Sequence, residues 1–143
     1  MQIKQTENHD LIKLEKGDQL MAAIKEFALE KQVSGTFSGI GAMDKVVIST
    51  YLPEKSDFLD HEKEGLLEMF TLTGNVSWND AEPVVHAHAG FSFLDGNQEV
   101  AVIAGDLREA HVSYTAEILF VPETEKIMRE FDSKAGIDVW KLN

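Results

Sequence analysis

The stretch that decides the fold is "PVVHAHAGFSFLDGNQEVAVIAGDL", residues 83–107. Two apolar runs of alternating character flank "LDGNQ", the composition of a β-hairpin turn. In a strand, successive side chains point to opposite faces. Val85, Ala87, Ala89, Phe91 and Phe93 therefore point to one face, that of a core, and His86, His88, Gly90 and Ser92 to the other. The two imidazoles share a face, with Cβ atoms roughly 6.5–7 Å apart from two steps of strand rise. At that separation both can reach one cation.

The turn decides whether a third ligand joins them. A two-residue loop, Asp95-Gly96, pairs Leu94 with Asn97 and sets Asp106 beside Val85, where burying a carboxylate is costly. A three-residue loop, Asp95-Gly96-Asn97, pairs Leu94 with Gln98 and sets Asp106 opposite His86. It turns Ala101, Ile103 and Leu107 to the core and gives Asn97 the left-handed conformation. The second register buries apolar groups and spares the acid, so it is expected. It leaves Val100, Val102 and Ala104 as an apolar patch beside the histidines, which self-association would cover.

Working outward, "HDLIKLE" (9–15) reads as a short strand. A helix over about 19–30 follows, capped by Asp18, with Leu20, Ala23, Ile24, Phe27 and Ala28 as its apolar stripe. "VSGTFSGIGAMDKV" (33–46) lacks the Lys-Ser/Thr of a P-loop and the dinucleotide glycine spacing, so a tight bend between strands is expected. "VVISTYL" (46–52) reads as a strand and 53–65 as a charged connection with a short edge strand near Phe58. A strand over 66–78 carries an interruption at Gly74-Asn75. A further strand covers 111–121, with Tyr114 on the core face between Val112 and Ala116. Residues 123–132 read as a short helix and 136–142 as a loop or edge strand. With no repeat or linker, residues 1–143 read as one α/β domain of α+β type. Its mostly antiparallel sheet of six or seven strands has one main helix packed on one face.

Composition narrows function. There is no cysteine, which removes thiolate nucleophiles, disulfides and Cys-type zinc sites. The net charge of −12 and the scattered basic residues oppose direct contact with nucleic-acid phosphates. No apolar run approaches a membrane span, and "MQIKQTENHD" lacks a secretory core, so a cytoplasmic location is expected. No Gly-x-Ser-x-Gly elbow occurs, and no acid–base pair stands out. Trp78 and Trp140, near strand ends, read as caps on the core or a subunit contact.

Taken together, "GDQLMAAIKEFALEK", "FSGIGAMDKVVIST", "MFTLTGNVSW", "EPVVHAHAGFSFLDG" and "AGDLREAHVSYTAEI" resemble the plant and prokaryote conserved domain (PPC or PCC domain) from about residue 9 to 142. The resemblance implies a mostly antiparallel α/β fold with one main helix, and a homotrimer. In plants the domain accompanies AT-hook motifs, and bacterial members are described as predicted DNA-binding proteins by that association. This chain carries no Arg-Gly-Arg-Pro hook. The family often shows His-x-His followed by Gly-Gly-His-Leu. His86 and His88 match the first motif, while "AGDL" (104–107) puts Asp106 where the third histidine stands. Thr115 and Glu117 match the family's Thr-x-Glu as residues lining a site.

Three readings follow. One is a metal or small-molecule site on His86, His88 and Asp106 near a subunit interface, holding zinc or iron and acting through a metal-bound water if catalytic. The second is a DNA-associated regulatory module working through partners. The third is a scaffold trimer without a site.

Overall fold

The computed structural model describes residues 1–143. Its elements, in chain order, are β1 (Gln2–Gln5), β2 (Asp10–Glu15), α1 (Leu20–Lys31), β3 (Gly35–Leu52), β4 (Asp57–Asn79), β5 (Glu82–Leu94), β6 (Val100–Pro122), β7 (Met128–Asp132) and β8 (Ile137–Lys141). All pairings are antiparallel except a single parallel step between β4 and β7 at Trp78 and Met128. This is the expected α+β sheet with one helix, in eight strands rather than six or seven. β3 and β5 each pair with both β4 and β6, so these four strands close a ring. β2 and β1 extend the sheet from β6, and β7 and β8 extend it from β4.

The α1 stripe is the expected one: Leu20, Ala23, Ile24, Phe27 and Ala28 are buried. They lie over β5 and β6, where the small side chains of Ala87 and Ala89 leave room for the helix. Phe27 meets Phe120 edge-on at 4.9 Å, and Phe120 stacks on Phe37 at 6.4 Å. Burying side chains of this size stabilises the fold by roughly 1.5–3 kcal/mol each. The cap differs from expectation. Gln19 Oε1 accepts from the Ala22 amide at 3.1 Å, while Asp18 Oδ2 accepts from Glu15 N at 2.9 Å. Asp18 closes the turn before the helix instead of capping it.

The glycine-rich stretch is no bend. It runs straight through β3, with bulges between Ser38 and Gly41 and between Met43 and Lys45. Its glycines serve close approach to β6: a Cβ on Gly41 would lie 2.6 Å from the Thr115 carbonyl oxygen. The charged segment 53–65 is a 3-10 turn at Pro53–Lys55 followed by the first part of β4, hydrogen-bonded to β3 from Leu52–Asp57 onward. Cross-strand pairing there overrides its polar composition. Pairing is unbroken through Gly74 and Asn75, and the β4 irregularity falls between Met69 and Thr71. Gly74 is needed because Phe37 lies where its Cβ would be.

Residues 98–107 and 111–121 are not separate strands but parts of β6. Between Val112 and Ala116, β6 spans four residues against two on β3, which turns Tyr114 out to 72% exposure. Residues 128–132 form β7, not a helix: the Trp78 amide donates to Ile127 O at 2.8 Å and β8 pairs along the other side. Sheet edges on both sides override the helical spacing of Ile127, Met128 and Phe131. Trp78 is fully buried and donates from Nε1 to Val33 O at 3.0 Å, capping the core as expected.

Candidate metal centre

The β5–β6 turn is longer than anticipated. Leu94 pairs with Val100, and Asp95–Glu99 form the loop. Asp95 explains the extra length: its Oδ1 accepts from the amides of Asn97 (2.8 Å) and Glu99 (3.1 Å). Gln98, not Asn97, takes the left-handed conformation, at φ 63°. The register therefore shifts by two residues and sets Asp106 opposite His88 rather than His86. A shift of two preserves the face. Asp106 lies on the histidine side, and Leu107 is buried in the core.

Asp106 occupies the residue at which β6 passes from β5 to β3, pairing with His88 on one side and Ser49 on the other. Gly105 permits the passage at φ 153°, and a Cβ there would lie 2.8 Å from Ile48 Cγ2. His86 Nε2 stands 3.2 Å from Asp106 Oδ1, and His88 Nε2 stands 3.9 Å from the same oxygen. The three ligand atoms all lie within 4.8 Å of one another, and the rings cross at 87°.

Zinc bond lengths of about 2.0–2.2 Å put neighbouring tetrahedral ligand atoms about 3.3 Å apart. His86 and Asp106 already meet that spacing. The His88 side chain, 70% exposed, is free to rotate the remaining distance. Two imidazoles and a carboxylate suit zinc or iron(II), and the group could hold such an ion.

Asp106 is itself held. Its Oδ2 lies 3.5 Å from Arg108 Nη2, and Arg108 Nε donates to Ser49 Oγ at 3.0 Å. Ser49 in turn donates to Asp60, and the guanidinium covers the Phe58 ring at 4.4 Å. His86 has its pKa lowered from the ordinary histidine value. Burial is the largest cause, opposed by Asp106 and assisted by the neighbouring His88 and the Arg129 guanidinium. It is therefore neutral near pH 7, the form that ligates.

One chain does not bring Thr115 and Glu117 to the histidines. Thr115 Oγ1 donates to Leu14 O at 3.2 Å, and Glu117 lies between Ile40 and Lys13, with β3 and β4 separating both from β5. Two residues that strand alternation does not single out stand near the histidines instead. Trp140 lines a hollow with His86 and His88, and Arg129, its partner across β7–β8, acts electrostatically on His86. Their segment reads as a short helix and an edge, so its pairing beside β4 is visible only in the fold.

The family pattern of the Plants and Prokaryotes Conserved (PCC) domain matches residues 1–123. The chain belongs to this family. The PCC-domain chain is similar to a metal-containing protein from Archaeoglobus fulgidus, at 31% identity and TM-score 0.81 over 99% of each chain. It is similar to a plant- and prokaryote-conserved protein from Pyrococcus horikoshii at 30% identity and TM-score 0.78, covering 98% of this chain and 93% of that one. A candidate DNA-binding protein from Bacteroides thetaiotaomicron shares the fold at TM-score 0.88 and 22% identity, over 98% and 96% of the two chains. No curated protein matches. No helix is long and apolar enough to cross a membrane.

Proposed function

We propose that this PCC-domain protein is a homotrimer that holds one divalent cation, zinc or iron(II), per chain on His86, His88 and Asp106. The observation that carries the reading is the convergence of these three side chains, within 4.8 Å, on the outer face of β5 and β6. The metal-containing archaeal relative adds support. Three protein ligands leave coordination positions for water or a small molecule, where a bound cation supplies Lewis acidity. Arg108 orients Asp106, the half-buried position of His86 favours its neutral form, and the aspartate stands where the family's third histidine is expected.

The trimer reading rests on the same face. Beyond His88 and Asp106 the paired rows continue through Gly90–Ala104, Ser92–Val102 and Leu94–Val100. Val100 is 74% exposed and Leu94 60%, and Phe70 packs over Gly90 beside them. An apolar strip of this kind calls for a partner, and a second copy covering it would border the cation site. A single buried cluster of 24 core residues supports one domain over 1–143. The net charge of −12 favours assembly with other proteins over direct DNA contact.

Elemental analysis of the purified protein tests the metal reading. We expect about one zinc or iron per chain, removed by chelation, restored by dialysis, and absent from a His86→Ala/His88→Ala variant. A protein that neither carries nor takes up either metal refutes it. Light scattering tests the assembly: Val102→Lys should dissociate the trimer, and a monomeric parent protein refutes that part.

A further inference from the structure

The hollow beside the histidines has a volume of about 330 Å³. That is the scale of a small-ligand site. Its floor comes from β3 and β4, with Thr36 and Asn75 paired across the sheet and Thr73 beside them. His86 and His88 form one wall and Trp140, 43% exposed, the other.

Arg129 adds a fixed positive charge. Its Nη1 donates to Ser77 Oγ and its Nη2 to Asp138 O, each at 2.8 Å. Both acceptors are neutral, and no carboxylate pairs with this guanidinium, although the chain carries 25 acidic residues. Arg129 and Trp140 face each other across β7–β8, so one face of the hairpin presents a cation and a flat indole together. Ser77 lies two residues along β4 from Asn75, on the same side of the strand, so the guanidinium borders the floor of the hollow. A planar guanidinium recognises carboxylates by paired donors, and an indole recognises flat apolar rings.

We propose that this hollow binds a small aromatic carboxylate, its acid group between Arg129 and the histidine group and its ring against Trp140. The proposal rests on the metal reading only for the acid group's second partner. It also divides the labour along the chain: the histidines and Asp106 lie within residues 1–123 matched by the family, while Arg129 and Trp140 lie beyond them. Selection of the ligand therefore belongs to the β7–β8 hairpin and metal retention to the shared domain.

The test titrates benzoate, benzamide and acetate into zinc-treated and chelator-treated protein, following tryptophan fluorescence and calorimetry, with zinc uptake measured separately. Benzoate should bind at least tenfold tighter than neutral benzamide or ringless acetate. Arg129→Gln should weaken benzoate about tenfold while the protein still takes up zinc, and Arg129→Lys should lose less. Trp140→Ala should weaken benzoate and leave acetate unchanged; its exposed position makes loss of the fold a minor concern, checked by circular dichroism. Equal binding of benzoate and benzamide, or benzoate binding indifferent to both Arg129→Gln and Trp140→Ala, overturns the proposal. Zinc uptake without benzoate binding overturns it alone. Arg129-dependent benzoate binding without zinc uptake upholds it while the metal reading falls.

Discussion

Replacing Asp106 by Asn separates the structural role of this residue from its proposed role as a metal ligand. The amide keeps the shape but removes the only anionic ligand of the group. In the metal-free protein the loss is small. The Asp106–Arg108 contact is long, 3.5 Å, and the arginine side chain is 44% exposed, so the pair contributes at most about 1 kcal/mol. Metal binding should suffer far more. Removing a partner that merely orients a ligand weakens affinity about 10–100-fold, so removing a ligand should weaken it at least about 100-fold. With free zinc at 100 times the parent dissociation constant, binding stabilises the parent by about 2.7 kcal/mol. Unfolding entropy for 143 residues is about 0.3 kcal/mol/K, so Tm rises by about 9 °C. In the variant the same zinc equals its dissociation constant and raises Tm by about 1 °C. Calorimetric scans with and without zinc, beside a competition titration against a chromophoric chelator, measure both numbers. A variant that keeps a rise of 7 °C or more, or an affinity within threefold of the parent, refutes Asp106 as a ligand.

Further outcomes follow from the same geometry. The folded pKa of His86 is lowered, so between the ordinary histidine value and that lower one the unfolded chain binds a proton that the folded chain does not. The metal-free protein should lose His86's contribution as pH falls through this window and keep it above, and His86→Gln should flatten the pH dependence of the urea midpoint relative to the parent. Gly105→Ala forces a side chain into φ 153° and against Ile48; a loss of about 1–3 kcal/mol in chemical denaturation is expected, with weakened zinc uptake because Asp106 follows directly. Phe120→Ala empties the centre of the Phe27–Phe120–Phe37 stack and should lower stability by about 3–5 kcal/mol, read as a shift in denaturation midpoint. Fluorescence anisotropy with duplex DNA should show no salt-dependent binding at low ionic strength.

The parts of the fold visible in the sequence are those where local pattern and tertiary demand agree. The α1 stripe, the alternation of β5 and the side of β6 that carries Asp106 each follow from a period of 3.6 or 2 against one buried face. The parts that escape are governed by partners distant in the chain. Residues 57–65 are polar yet form a strand because β3 pairs with them. Residues 128–132 have helical spacing yet are captured by β4 and β8. The turn at Asp95 follows its own side-chain hydrogen bonds, which a count of loop residues does not contain. The histidine and aspartate side of the site tolerates that error because a two-residue slip keeps the face. The placing of Arg129 and Trp140 depends wholly on where the final hairpin docks, so no spacing announces it.

The closed ring sets two clocks for folding. All three candidate ligands lie on one hairpin, His86 to Asp106, and a β-hairpin forms in about 1–10 μs. Ring closure instead joins Gly35 to Pro122, with β2 adding Asp10 to Phe120. Such distant pairings fold on a scale of milliseconds to seconds. Until they form, β3 keeps an open edge, and the acidic run of Asp57, Asp60, Glu62 and Glu64 on its neighbour discourages another chain from adding there. The hairpin can thus assemble its ligands well before the molecule closes around them, and slow refolding belongs to the ring rather than to the site.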